Sequence, residues 1–531
     1  MLDPGRVDGL NRLRTALEAR GYLRPEAVEA FGVPFGGEPR RVDLPLYLRR
    51  LDPDSPSHAL IRLFALHLPV PEAEARRALE PLALADAEAL GIVALGGGQV
   101  RPLVSFVVTE GLVLARDVPD AGPSALRADH VLGLNPPALL LARLTVRRPV
   151  RRALDLGSGG GVQALLASRH CQQVVGVDLN PRAVAFARFN ARLNGIRNVE
   201  FREGDLFAPV ADERFDLVVC NPPYVVSPET DLLFRDSGRS GDSFCAEVVE
   251  GAARQLAPDG FASVIVNWVV PEGEHWSGPL RRWVAGAGCD AWLLHLDTSD
   301  ALSYAAGWNR EADSARYTAA LDRWTAYYAR HGIRSIGQGA VLLRRRTAGR
   351  AWVSALELPA RPRVDASSAI LQAFRAQDRL GELAGREGLS SARFRVAEAL
   401  RVAQQAAIRD GRFEPGCAEL RLEGALPFEA TADAGTLRLL QLSDGRRTLG
   451  EIVAEMAGPG ADASGLAASV GQTVRRLVAL GFLVPAEEAG ERGEDARADR
   501  FGPAADAPAA GALRGGGDVR PGGGPARLGT G

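Results

Sequence analysis

Hydrophobic positions change period along this 531-residue chain. Up to about residue 90, LNRLRTALEARGY and HALIRLFALHL repeat apolar residues at helical spacing. ALGIVALGGGQVRPLVSFVVTEGLVLARD then reads as strands joined by a glycine-rich turn. From Arg151 short apolar strands alternate with helical stretches as far as GQGAVLLRRR, near Arg346. That alternation predicts a parallel sheet with crossover helices. In the next unit Thr448 and Glu451 are spaced as a capping box, and VRRLVALGFLVP reads as a helix running into a short strand. The last stretch has no apolar period and is rich in Gly, Ala and Pro, which predicts a disordered tail.

These shifts divide the chain into four parts. Residues 1–124 form a helical or α+β accessory domain, 125–348 an α/β domain, 349–488 a second α+β accessory domain, and 489–531 the tail. ADAEALGIVAL and the C-terminal helix–strand phrase both suit a winged-helix-like arrangement. Such a module binds nucleic acid or protein, or packs against its neighbour.

Composition narrows the chemistry. All 63 basic residues are arginine, so Schiff-base and phosphate-loop lysine enzymes are excluded in their usual forms. The five cysteines have no metal-ligand spacing; no metal is expected, and they read as buried apolar residues in a reducing compartment. The start is charged and helical rather than signal-like, and FASVIVNWVV is about half the ~18–20 residues a membrane span needs. A cytoplasmic location without membrane contact is the expectation. A net charge of -2 gives no global attraction to nucleic acid, although Arg147-Arg148 with Arg151-Arg152, and Arg344 to Arg346, are local basic clusters. Those clusters are equally well the solvated ends of strands and helices.

Four stretches carry candidate chemistry. RRALDLGSGGGVQALLAS places a strand before Gly157, Ser158, Gly159, Gly160 and Gly161, then a helix whose N-terminus offers unpaired N–H groups. This loop also fits a dinucleotide pattern, so nicotinamide and S-adenosylmethionine both remain open there. VVGVDLNP ends a strand on Asp178, where a carboxylate accepts ribose hydroxyls, or caps a helix. VEFREGDLF ends on Gly204-Asp205, a carboxylate placed for an adenine amine. Asp155, two residues ahead of Gly157, favours S-adenosylmethionine, which has no pyrophosphate charge to neutralise. FDLVVCNPPY ends a fourth strand on Asn221, Pro222, Pro223 and Tyr224. All four strand ends converge on one edge of a doubly wound sheet.

In the order and spacing of DLGSGGG, VVGVDLNPRAVAFARFNARLNG, EGDLF and FDLVVCNPPY, the chain resembles the class I S-adenosylmethionine-dependent methyltransferases. Within them it is most similar to the HemK-like and methyltransferase small domain enzymes marked by Asn-Pro-Pro-Tyr. The resemblance covers roughly Asp129 to Arg346 and implies a Rossmann-like fold with a mostly parallel seven-stranded sheet. It implies S-adenosyl-L-methionine bound by Asp155, Gly157, Ser158, Gly159, Gly161, Asp178, Leu179, Asp205, Leu206 and Asn221. It also implies that Asn221 and the carbonyl of Pro222 accept the two N–H groups of a planar nitrogen while Tyr224 stacks on its plane. No general base is required, so the lack of an obvious histidine–carboxylate pair near the motif is no objection.

Three functions follow from these readings. The first is methylation of a protein glutamine side-chain amide in a glutamine-containing loop. The second is methylation of an exocyclic adenine or guanine amine in rRNA, tRNA or DNA. The third is a non-catalytic S-adenosylmethionine-binding interaction protein. A second Asn-Pro-Pro, Asn135 to Pro137, precedes an apolar helical run and reads as a helix N-cap with prolines in the first turn. RDSGRSGDSF reads as a substrate-facing loop or a plain connector, and Trp268 and Trp276 of NWVVPEGEHW as core in preference to an aromatic substrate wall.

Overall fold

The computed structural model describes residues 2–33, 39–118, 126–236, 238–309, 313–385, 388–409, 412–458 and 464–486; the expected tail lies outside the described residues. Its centre is an eight-stranded sheet. In chain order the strands are β1 (Val150–Leu156), β2 (Cys171–Asp178), β3 (Val199–Glu203), β4 (Phe215–Cys220), β5 (Leu256–Val270), β6 (Cys289–Asp300), β7 (Ser335–Arg345) and β8 (Val353–Glu357). They lie side by side as β8-β6-β7-β5-β4-β1-β2-β3. Only β7 runs antiparallel to its neighbours, β5 and β6. The central strands are apolar on both faces and buried on both, as a parallel sheet under helices requires.

This is the α/β Rossmann-like methyltransferase fold, with one strand more than the seven expected. The eighth, β8, comes from beyond residue 348 and adds in parallel to β6. Helices α1 (Val162–Ala167), α2 (Pro181–Leu193), α3 (Ser243–Gln255) and α4 (Ser277–Val284) follow β1, β2, β4 and β5. A helical pair, α5 (Ala301–Trp308) and α6 (Ser314–His331), is inserted between β6 and β7. The chain leaves β1 toward β2 and β3, then returns to build β4 on the other side of β1. The carboxyl ends of β1 and β4 are therefore neighbours, with Leu156 opposite Cys220, and a crevice opens at this switch point.

The flanking regions share cores with the sheet. In the N-terminal region, helix Val7–Ala19 and the helix–hairpin Leu84–Ala89, Val93–Gly96 and Gln99–Pro102 pack in one apolar cluster with Ala183, Phe186, Phe189 and Leu193 of α2. HALIRLFALHL is a helix that widens into a π turn over Ile61–Ala65. C-terminal to the sheet, Phe374 of helix Ser367–Gly385 packs edge-on against Trp292 of β6, 6.3 Å between ring centres. Thr448 and Glu451 make the expected reciprocal capping box, and helix Ser464–Ala479 runs into strand Leu483–Pro485. The described residues up to Pro485 pack as one unit.

Two expectations need correction. Four cysteines are buried, but Cys417 is exposed. The arginine clusters are for the most part engaged inside the chain. Arg147 forks onto Glu110 at 3.0 Å, Arg152 pairs with Glu213, and Arg148 donates to the Asp259 carbonyl at 2.6 Å. Arg344 and Arg346 both bridge the fully buried Asp290 to Asp378 of the C-terminal helix. Among the described residues no helix is long and apolar enough to cross a membrane, and no acidic, histidine or cysteine cluster would hold a metal.

Candidate active site

The crevice at the switch point is a cleft of about 670 Å³. The glycine loop forms its floor at the end of β1. Gly157, Gly159 and Gly161 all have φ in the left-handed region, at +70°, +53° and +86°, where a side chain is strained. At Gly159 an added Cβ would meet nothing within 4 Å, because that face opens into the cleft. At Gly161 it would stand 3.1 Å from the Phe201 ring and 3.2 Å from the Ala187 Cβ. Gly161 therefore serves the close approach of loop to helix and does not line the cleft.

Each expected carboxylate has a distinct post. Asp155, 1% exposed, accepts the Ala164 N–H at 2.9 Å and so ties β1 to the helix after the loop. Burial pushes its carboxyl up to about 7, the Ala164 bond opposes this, and the nearby Asp178 charge adds to it. Asp178 accepts the Gly159 N–H at 2.7 Å and the Asn180 N–H at 2.8 Å. Burial raises its pKa too, with those two bonds acting against the shift. Its oxygens keep lone pairs for a further donor, while Asn180 is the N-cap of α2, accepting the Arg182 N–H at 2.9 Å. Asp205 is exposed at the cleft edge. Leu179, 55% exposed, and Leu206, with φ +46°, add apolar surface to the lining.

The residues after β4 form the opposite wall. Asn221, Pro222, Pro223 and Tyr224 all line the cleft. The side-chain Oδ1 of Asn221 is buried without a hydrogen-bond partner among the described residues, as is the Ser158 Oγ. Burial holds the Tyr224 hydroxyl well above its ordinary pKa, so it stays neutral. Its ring stands edge-on to Trp308 of α5, 6.5 Å between centres. The next turn of chain is pinned by the inserted helices. Val226 donates its N–H to the Tyr304 hydroxyl at 3.3 Å, and its carbonyl accepts from the Tyr328 hydroxyl at 2.8 Å.

Several lining residues were not legible beforehand. The second Asn-Pro-Pro is an N-cap as expected, with Asn135 accepting the Ala138 N–H at 2.8 Å, yet Asn135, Pro136 and Pro137 also line the cleft. His130 lines it as well, with its Nδ1 3.7 Å from Asp117, so folding supplies the histidine–carboxylate pair that the local sequence lacks. Arg235, Asp236, Gly238, Arg239 and Phe244 of RDSGRSGDSF all reach the cleft, which decides for a lining loop over a plain connector. Trp268 is core, but Trp276 is half-buried and stacks on His295 at 4.9 Å.

Residues 135–275 match the family model described as the methyltransferase small domain, and residues 40–103 match a domain of unknown function, DUF7059. The release factor glutamine methyltransferase of Geobacter sulfurreducens is 35% identical over 151 residues, 24% of this chain and 53% of that protein. The ribosomal protein uL3 glutamine methyltransferase of Bradyrhizobium diazoefficiens is 36% identical over 125 residues, 21% of this chain and 39% of that protein. The arsenite methyltransferase of Halobacterium salinarum is 29% identical over 216 residues, 38% and 52% of the two chains. The chain spans about half the length of the first of these relatives. The methyltransferase small domain match takes in β1 to β5 and most of the cleft lining.

Proposed function

We propose that this chain is an S-adenosylmethionine-dependent N-methyltransferase whose acceptor is a protein glutamine amide. The observation that carries the reading is the buried, partnerless Oδ1 of Asn221 at the end of β4. An acceptor atom left unpaired inside a protein costs about 1–3 kcal/mol, and a donor N–H from an amide would satisfy it. The names of two relatives, both glutamine methyltransferases, support the amide over other nitrogens.

The residues present fit the cofactor. Gly159 leaves open space where any side chain would intrude, and Ser158 offers a second unpaired buried oxygen. Asp178 and Asp205 stand at the ends of adjacent strands for hydroxyl and amine donors, with Leu179 and Leu206 as apolar walls. When bound, S-adenosylmethionine supplies an electrophilic methyl on a sulfonium. The chain's own work is to hold the acceptor nitrogen. Asn221 Oδ1 takes one amide N–H and the Pro222 carbonyl takes the other, which favours a pyramidal nitrogen and stabilises the charge growing on it. Proline fixes its carbonyl through a locked φ. Tyr224 and Trp308 flank the nitrogen and exclude water. Holding the reacting atoms in line is worth roughly 7–11 kcal/mol in such transfers.

Of the clustered arginines, Arg147, Arg148, Arg152, Arg344 and Arg346 are spent on internal carboxylates and carbonyls, which weighs against a base amine. Arsenite methylation, named for one relative, calls for thiolates at a soft centre. Cys220, the cysteine lining the cleft among the described residues, is 1% exposed, and burial pushes its thiol well above the ordinary range.

The test uses methyl-labelled S-adenosylmethionine, the purified protein and a lysate, with Asn221→Ala as control. Asn221-dependent label that survives nuclease and is lost to protease supports the reading. Label lost to nuclease makes the acceptor a base amine, and label no higher than in the control refutes methyl transfer by this clamp.

A further inference from the structure

We propose that Asn190 is a positioning residue for the cofactor loop, the joint through which the N-terminal region sets the glycine backbone. The proposal rests on the cofactor reading above and concerns residues outside the binding motifs.

Asn190 lies on α2 and is fully buried. Its Oδ1 accepts the Ala115 N–H at 2.7 Å, and its Nδ2 donates to the Ala115 carbonyl at 3.1 Å and to the Gly160 carbonyl at 2.9 Å. Both of its N–H donors are thus used. One turn further along, Asn194 accepts the Val113 N–H at 2.9 Å and donates to the Val113 carbonyl at 2.7 Å. Val113 and Ala115 are alternate residues of strand Leu112–Asp117, whose other edge pairs with Val104–Thr109. Alternate residues present their N–H and C=O groups to the same edge. The two side-chain amides therefore replace a missing neighbour strand.

The two asparagines differ in one respect. Both hold the strand, but of the two only Asn190 also holds Gly160, a cleft-lining residue beside Gly159. The same strand ends on Asp117, which accepts the Val131 N–H at 2.8 Å and pairs with Arg182 at the start of α2. Val131 and His130 line the cleft as well. Any shift of the N-terminal strand against α2 is thereby transmitted to the loop that would cradle the cofactor. A tie that served packing alone would treat Asn190 and Asn194 alike.

The test compares Asn190→Ala and Asn194→Ala in the full chain. Calorimetric titration with S-adenosylmethionine gives affinity, thermal unfolding gives stability, and hydrogen exchange reports the amides of Ser158 to Gly161. Both variants are expected to lose stability. Asn190→Ala should also weaken cofactor binding roughly fivefold or more, the worth of one net hydrogen bond, and speed exchange in the loop. Asn194→Ala should leave affinity within about twofold of wild type, since it breaks no bond to the loop. Equal effects on affinity in the two variants, or unchanged affinity in Asn190→Ala, overturn the proposal. If the alanine protein does not fold, Asn190→Ser, too short to span Ala115 and Gly160, answers the same question. A wild-type chain that binds no S-adenosylmethionine overturns the cofactor reading itself and this proposal with it.

Discussion

Replacing Asn221 with alanine should separate stability from catalysis. The Oδ1 of Asn221 is buried without a partner among the described residues, and a buried acceptor left unpaired costs about 1–3 kcal/mol. Alanine removes that oxygen and keeps the Cβ, so little apolar burial is lost. The variant should therefore be as stable as wild type or up to ~2 kcal/mol more stable, a rise of a few degrees at most in a chain this size. In transfer the same oxygen would accept from a nitrogen becoming cationic. A hydrogen bond to a charged group contributes about 1.5–3 kcal/mol, so the rate should fall ~10- to 150-fold. Thermal unfolding and initial rates of methyl transfer to the labelled lysate protein measure the two sides. A Tm lowered by several degrees would show that Oδ1 has a structural partner in solution. Transfer at the wild-type rate would remove Asn221 from the chemistry altogether.

Further substitutions at four positions follow from the structure. Gly161→Ala should destabilise by ~1–3 kcal/mol, since φ is +86° and the new Cβ meets Phe201 and Ala187; Gly159→Ala, facing open space at φ +53°, should lose cofactor affinity out of proportion to its smaller loss of Tm. Trp308→Ala should raise the acceptor KM about 2- to 10-fold with cofactor affinity unchanged, the worth of one aromatic contact, and Trp308→Phe should recover most of it. Asp155 keeps its proton in the folded state up to about pH 7, against 3.8 when unfolded. Between those values the folded chain holds the extra proton, so the stability from this group falls as pH rises toward 7 and is flat beyond. Asp155→Asn should abolish that fall, seen as a Tm difference from wild type that grows between pH 5 and about pH 7 and then levels off.

The central sheet was legible because its strands are short apolar runs that end on Gly, Asp or Asn, and period and punctuation agree there. The glycine loop, Asp178, Asp205 and Asn221 meet on one edge because strand ends in a doubly wound sheet must. What was illegible depends on contacts distant in sequence. Trp308 meets Tyr224 across 84 residues, and its helix looks like any amphipathic segment until β6 and β7 place it. The pairing of His130 with Asp117 needs the N-terminal strand to dock on α2. β8 was missed because VSALE is brief and half-buried, a pattern that fits an edge strand or a loop equally. The arginine clusters were ambiguous because charge in a sequence does not say whether its partner is solvent, phosphate or a buried aspartate.

The distribution of the cleft lining bears on why the glutamine methyltransferase relatives align with only part of this chain. The methyltransferase small domain match holds the loop, the carboxylates and the clamp, which are the parts that would hold a cofactor and an acceptor nitrogen. Part of the wall comes from outside the methyltransferase small domain match: His130 to Gly133 ahead of it, and Trp308 from the insertion after it. Backbone already buried and bonded at the floor leaves little freedom to choose a substrate. The walls, built from side chains outside that match and from the 235–244 loop within it, have that freedom. If the clamp transfers methyl to an amide, the choice of which amide therefore rests with Trp308, the 235–244 loop and the N-terminal rim. Exchanging those walls should change the labelled acceptor, while exchanging the floor should abolish labelling of every acceptor.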